Sequence, residues 1–176
     1  ASLWSGGDFR PDLLVSRHGV MFFDDPVAAF HNLARAADED ARLVFSCFRD
    51  RTENGWASEL ADILPQSPPP PPNAPGPFAF ADVSHVTDVL EAAGWQDIRF
   101  EPLDFAYVAG GGDDPVADAV SFFCRIGPAA SAIAALDGKD RAAMLDRLTI
   151  LAQDHLTDNN VTFSAAAWIV SACREG

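Results

Sequence analysis

Short apolar runs separated by amphipathic stretches give this chain the alternating pattern of strands and helices that is typical of an α/β protein. The run Leu13-Leu14-Val15 predicts a buried strand over 12–16, and Asp25-Pro26 predicts the N-cap and the first residue of a helix. Arg42 to Phe48 predicts a second buried strand. A strand, a helix and a strand with such short connections predict a right-handed parallel crossover.

The rest of the chain continues this pattern as a single domain over 1–176, interrupted by one proline-rich loop over 66–77. Pro68 to Pro72 predict an extended polyproline segment, interpreted as a stiff surface connection or as a ligand for aromatic grooves. Beyond the loop, the pattern predicts these elements: helices over about 82–93, 115–126, 129–136 and 139–156, and strands over about 95–107 and 161–172.

Composition and charge narrow the classes of partner. Of the 176 residues, 48% are hydrophobic and 22% are charged, which is typical of a globular domain. A net charge of −14, from 26 acidic and 12 basic residues, disfavours nucleic acid and anionic membranes as partners. No apolar run approaches the ~20 residues of a membrane span and no secretory leader is present, so we expect a cytoplasmic protein. The three cysteines and four histidines lack metal-ligand spacing, which predicts no metal site.

Candidate chemistry follows the first strand, at Ser16, Arg17 and His18, because ligands of open α/β sheets lie outside the carboxyl ends of the strands. His18 is the candidate general base, since its ordinary pKa lies near neutrality; alternatively it only bonds the backbone of the turn. Arg17 either binds a carboxylate or pairs with Asp24 or Asp25. No Ser, Asp or Glu residues form a nucleophile and base at recognisable spacing.

Four stretches resemble one protein family. Pro11 to Phe30 resembles the fourth strand and the following helix of bacterial class I S-adenosylmethionine-dependent methyltransferases. Arg42 to Phe45 resembles their fifth strand. Gly76 to Asp82 resembles the start of the helix that precedes their sixth strand. Ala165 to Val170 is similar to their last strand, which runs antiparallel between the fifth and the sixth. The resemblance covers essentially the whole chain.

The resemblance implies a partial Rossmann-like sheet, with strands in the family order fourth, fifth, seventh, sixth, and a helical insertion over 113–158 beside a substrate site. It implies the C-terminal half of the domain, because no glycine-rich turn precedes residue 12 and no GxGxxG occurs in the chain. The strand at 12–16 would then have an open edge, which predicts a homo-oligomer or a missing N-terminal half pairing there.

The resemblance also implies a function, methyl transfer from S-adenosylmethionine to a small molecule. The methionine end of the cofactor would contact Ser16, Arg17 and His18, with His18 as catalytic base. Phe22 and Phe23 are either core residues or a lid over the sulfonium. The alternative function is a non-catalytic binding or scaffolding module derived from such an enzyme. The implied substrate-binding residues are Phe22, Phe23, Phe48, Arg49, Trp56 and Tyr107.

Overall fold

A computed structural model describes residues 9–65, 68 and 70–174, which form a mixed α/β fold around one open sheet. Two short 3₁₀ helices, Val20–Phe22 and Arg51–Glu53, lie in the connections. The strands are β1 (Leu13–Arg17), β2 (Arg42–Phe48), β3 (Trp95–Gly110), β4 (Leu156–Thr157) and β5 (Asn160–Arg174). The helices are α1 (Pro26–Ala36), α2 (Gly55–Ile63), α3 (Val83–Ala92), α4 (Pro115–Phe123), α5 (Gly127–Ala134) and α6 (Gly138–Asp154).

The sheet has the strand order β1-β2-β5-β3, which confirms the predicted order. β1 is parallel to β2, with Arg17 opposite Ser46, and β5 is antiparallel to β2. The two-residue strand β4 pairs with β5 in a hairpin that the sequence pattern did not predict. Its turn residues, Asp158 and Asn159, have positive φ angles of 46° and 66°, a conformation that short polar side chains tolerate.

Helix starts agree with the capping residues in the sequence. The Asp25 carboxylate accepts a hydrogen bond of 2.9 Å from the Ala28 backbone N–H, and Pro26 is the first residue of α1. Asp114 caps α4 in the same way, through a 3.0 Å bond from Ala117. Each cap satisfies a backbone donor that has no partner within its helix.

The described residues divide into two compact units, of which the first comprises 9–50, 70–103 and 166–174. Its core is a cluster of phenyl rings. The ring centroid of Phe30 in α1 lies 5.6 Å from that of Phe45 in β2 and 6.1 Å from that of Phe80. The buried Trp95 indole donates a 3.1 Å hydrogen bond to the Phe30 carbonyl oxygen. This cluster holds α1 against one face of β2.

The second unit comprises 51–65, 68 and 104–165. Within it, α6 packs against both α4 and α2. Phe123 of α4 meets the ring of Phe163 edge-on at 5.7 Å, and both rings are buried. Three helices, α4, α5 and α6, fall in the predicted insertion over 113–158, whose role at a substrate site stays a prediction.

The prediction that β1 is buried was wrong, because Leu13 is 53% exposed and Val15 is 71% exposed. β1 is the end strand of the described sheet, so its apolar residues reflect strand preference and not a filled core on both faces. In the predicted proline-rich loop, residues 66, 67 and 69 lie outside the described residues, and the chain turns at Pro72 and Asn73.

Candidate active site at the end of β1

The turn after β1 brings three predicted site residues together. β1 ends at Arg17, and His18 takes a left-handed backbone conformation with φ of 51°, which is uncommon for a residue other than glycine. The backbone N–H of His18 donates a 3.1 Å hydrogen bond to the carbonyl oxygen of Ser46 in β2. This bond fixes the turn to the carboxyl end of the neighbouring parallel strand.

The His18 side chain makes a ring contact and leaves one nitrogen without a partner. Its ring stacks on Phe48 with 4.2 Å between centroids and 17° between planes. Its Nδ1 is buried and has no hydrogen-bond partner among the described residues. Burial and the neighbouring Arg17 charge lower the pKa of His18 below its ordinary 6.5. The imidazole is therefore neutral at pH 7 and can accept a proton at a free nitrogen.

Ser46 belongs to the same site, although sequence reasoning missed it. Its Oγ is also buried and has no hydrogen-bond partner within the described residues. Ser46 and Phe48 are two residues apart in β2, so their side chains point to the same face, where the His18 ring lies on Phe48. The available signal was a hydroxyl in the otherwise apolar run Leu43-Val44-Phe45-Ser46-Cys47-Phe48.

Arg17 and Ser16 flank His18 on the strand. Arg17 is exposed and has no ion-pair partner in the described part of the chain, so the alternative pairing with Asp24 or Asp25 is not formed. Ser16 is half-buried, and a Cβ atom added to Gly19 would lie 3.0 Å from its Oγ. A small residue at position 19 therefore lets the turn pass close to the Ser16 hydroxyl.

Four predicted substrate residues lie in the same unit as His18, in different environments. Phe22 is 54% exposed, whereas Phe23 is half-buried and meets Phe30 edge-on at 5.6 Å. Phe22 therefore fits an exposed contact residue, and Phe23 fits a core residue. Phe48 is buried under His18, and the Arg49 guanidinium lies 5.1 Å from the centre of the Trp168 ring. Arg49 is held in a cation–π contact of the fold.

The other two predicted substrate residues, Trp56 and Tyr107, lie in the second unit. Their rings stack with 5.1 Å between centroids, and the Trp56 indole donates a 3.2 Å hydrogen bond to the Asn54 side chain. Trp56 is only 6% exposed. Burial raises the pKa of the Tyr107 phenol above 10.0. The structure thus places Trp56 and Tyr107 in contact, and the hydrogen bond to Asn54 fixes the plane of the Trp56 indole.

His155 uses both ring nitrogens within the second unit. Its Nδ1 lies 3.0 Å from the carbonyl oxygen of Thr162, and its Nε2 lies 2.7 Å from Oε2 of Glu59. Because a carbonyl oxygen only accepts hydrogen bonds, Nδ1 carries a proton. Its ring also stacks on Phe163 at 4.0 Å. The Glu59 partner, 96 positions away in sequence, could not be read from the pattern.

No group of three or more His, Cys, Asp and Glu side chains among the described residues could hold a metal ion. None of the described helices combines the length and the apolar composition that crossing a membrane requires.

Comparison with known proteins gives matches in structure only. No protein-family model and no curated protein matches the sequence. The YcgJ protein from Bacillus subtilis has a TM-score of 0.51 at 12% identity, covering 96% of this chain and 67% of that one. This likeness shows a shared α/β fold.

Two further solved structures are methyltransferases by name. A putative methyltransferase from Bacillus halodurans has a TM-score of 0.47 at 10% identity, covering 96% of this chain and 68% of that chain. A Haemonchus contortus phosphoethanolamine N-methyltransferase, in complex with phosphomonomethylethanolamine and S-adenosylhomocysteine, has a TM-score of 0.43 at 13% identity. The match covers 96% of this chain, which spans only 35% of that enzyme's length.

Proposed function

We propose that this chain takes part in methyl transfer from S-adenosylmethionine to a small-molecule acceptor, and that it supplies the substrate side and part of the cofactor site. The observation that carries the proposal is His18, a neutral imidazole with a free, buried Nδ1 at the carboxyl end of a parallel strand. A buried polar atom without a protein partner calls for an explanation, and a bound ligand or a catalytic role is one.

The residues beside His18 fit the methionine end of the cofactor. Arg17 offers an exposed guanidinium without an ion-pair partner among the described residues, which suits an α-carboxylate. The Phe22 ring is exposed and suits the sulfonium or the acceptor. When bound, the cofactor supplies an electrophilic methyl group. His18 then holds the proton that the acceptor loses, and the turn aligns the acceptor with the methyl group.

The described residues do not account for the adenosine end of the cofactor. The sequence contains no GxGxxG motif. The proposal for this chain is therefore limited to the methionine end and the acceptor.

A calorimetric titration with S-adenosylhomocysteine tests the proposal. We expect micromolar binding to the 176-residue chain, and an affinity about tenfold lower for Arg17→Ala, since a charge-assisted hydrogen bond contributes about 1.5–3 kcal/mol. Arg42→Ala is the matched control, because Arg42 is also an exposed arginine, on the neighbouring strand. Absence of binding heat, or equal effects of the two substitutions, would overturn the proposal.

The alternative function, a binding or scaffolding module, is favoured by the exposed end strand β1. Leu13 and Val15 are largely exposed, and β1 contains neither proline nor lysine to discourage pairing. We propose that this edge takes a further strand, from a second copy or from an N-terminal half. Light scattering on the chain with and without Val15→Lys tests self-association. A monomer in both cases argues against the second copy, and an assembly dissolved by the substitution supports it.

A further inference from the structure

His18 Nδ1 and Ser46 Oγ are both buried, and neither has a hydrogen-bond partner among the described residues. Leaving such a group without a partner costs about 1–3 kcal/mol of folding free energy. The two atoms belong to adjacent strand ends, because the His18 backbone N–H bonds the Ser46 carbonyl oxygen at 3.1 Å. Their side chains share one face of β2, since the His18 ring lies on Phe48, two residues after Ser46.

We propose that His18 and Ser46 together bind the acceptor group of the substrate and that this group is a hydroxyl. The inference rests on the methyl transfer proposed above. In the tautomer that carries its proton on Nε2, a neutral imidazole accepts a hydrogen bond at Nδ1, and a serine hydroxyl can donate one. A substrate hydroxyl gives its hydrogen to Nδ1 and accepts the Ser46 hydrogen on one lone pair. Its second lone pair stays free to attack the methyl group.

Other acceptor groups match this pair less well. A neutral amine has one lone pair, so it stays nucleophilic only if it donates N–H to both protein atoms, and the Ser46 hydrogen is then left without an acceptor. A carboxylate has no proton to give, so in the same tautomer it leaves His18 Nδ1 without a partner. The hydroxyl satisfies both protein atoms and remains nucleophilic, and that combination separates it from nitrogen and carboxylate acceptors.

The transfer step balances with these groups alone. The acceptor oxygen forms the new O–C bond with its free lone pair, the S–C bond breaks, and its electron pair remains on sulfur. The hydroxyl proton passes to His18 Nδ1, so the positive charge of the sulfonium ends on the imidazole. Both protein atoms are closed to solvent, so an acceptor can reach them only after the site opens locally.

Ligand-detected NMR with phenol, aniline and toluene tests the inference, with and without S-adenosylhomocysteine. These probes share a ring and differ in the acceptor group. We expect the wild type to bind phenol at least about fivefold more tightly than aniline or toluene. We expect Ser46→Ala to lose most of that preference for phenol and to keep the same affinity for toluene. Ser171→Ala is the matched control, since Ser171 lies opposite Val44 on the same face of the sheet, and we expect it to bind as the wild type does.

Equal affinities for phenol and toluene, or equal behaviour of Ser46→Ala and Ser171→Ala, would overturn the hydroxyl assignment. His18→Phe keeps a ring on Phe48 and gives a second test, with the same loss of phenol preference expected.

The hydroxyl acceptor and methyl transfer can be overturned independently of each other. Binding of S-adenosylhomocysteine without a phenol preference leaves methyl transfer standing and removes the hydroxyl acceptor. A Ser46-dependent phenol preference without S-adenosylhomocysteine binding supports the hydroxyl site and removes methyl transfer.

Discussion

His18 in the first unit and His155 in the second both stack on a phenyl ring, but they differ in the hydrogen bonds that their ring nitrogens make. Each imidazole stacks on a phenyl ring, at 4.2 Å on Phe48 and at 4.0 Å on Phe163. His155 bonds oxygen atoms through both nitrogens, whereas His18 Nδ1 bonds no described residue. The polar capacity of His155 is used by the fold, and that of His18 is available to a ligand.

This difference separates a structural histidine from a candidate catalytic one by what each nitrogen contacts. Burial alone does not separate them, because both rings are half-buried. The backbone adds a second distinction, since His18 has a positive φ angle and His155 has an ordinary helix-end conformation with φ of −102°. Strain and an unsatisfied nitrogen coincide at His18, as expected for a site whose residues are placed for a ligand.

The largest effect is expected from His155→Phe. This change keeps the stack on Phe163 but removes the bonds to Thr162 and Glu59, so we expect the free energy of unfolding to fall by about 2 kcal/mol. Urea unfolding at pH 7 measures it. A loss under about 0.5 kcal/mol would mean that water replaces both bonds and that the pair contributes little, as exposed ion pairs often do.

The matched change His18→Phe is expected to act in the opposite direction. It keeps a ring on Phe48 and removes a buried nitrogen without a partner, so the free energy of unfolding should stay level or rise by up to about 1 kcal/mol. The same urea experiment measures it. A loss comparable to that of His155→Phe would show that His18 Nδ1 has a stabilising partner and would remove the contrast.

The pH dependence of stability sharpens the contrast further. Because the folded state lowers the pKa of His18, the unfolded state binds its proton first as pH falls below 6.5. The His18 contribution to stability is thus fully present above pH 6.5 and is lost between 6.5 and the lowered pKa. We expect unfolding midpoints to fall less for His18→Phe than for the wild type between pH 7.5 and 5.5. Parallel curves would contradict the lowered pKa.

The smallest effect concerns Tyr107, the one tyrosine of the chain. Burial raises its pKa, so its ultraviolet absorbance should titrate with a midpoint above 10.0 in the folded protein and near 10.0 in urea. The unfolded phenol loses its proton first, so stability falls as pH rises above 10.0. Coincident titrations of the folded and unfolded chain would show that the Trp56 stack leaves Tyr107 open to solvent.

Local signals predicted most of the fold. Asp25-Pro26 and Asp114-Pro115 start helices as the capping preferences require, and the resemblance gave the strand order. Hydrophobicity alone overstated the burial of Val15, since an end strand and a central strand share the same apolar composition.

The site was only half visible in the sequence. Ser16, Arg17 and His18 are adjacent in the chain and were predicted together. Ser46 joins them through the register of β1 against β2, and Glu59 reaches His155 across 96 positions. Strand register and contacts between distant helices and strands depend on three-dimensional packing, so neither partner could be assigned from residue spacing.

Nitrogen-15 NMR of the histidine rings in a pH titration tests the central contrast most directly. At pH 7 we predict a neutral His18 ring that titrates below 6.5, and a His155 ring whose Nδ1 proton exchanges slowly because it is bonded to the Thr162 carbonyl oxygen. His18→Phe and His155→Phe assign the two sets of signals. A His18 ring that is protonated at pH 7, or a His155 ring with freely exchanging protons, would contradict the account.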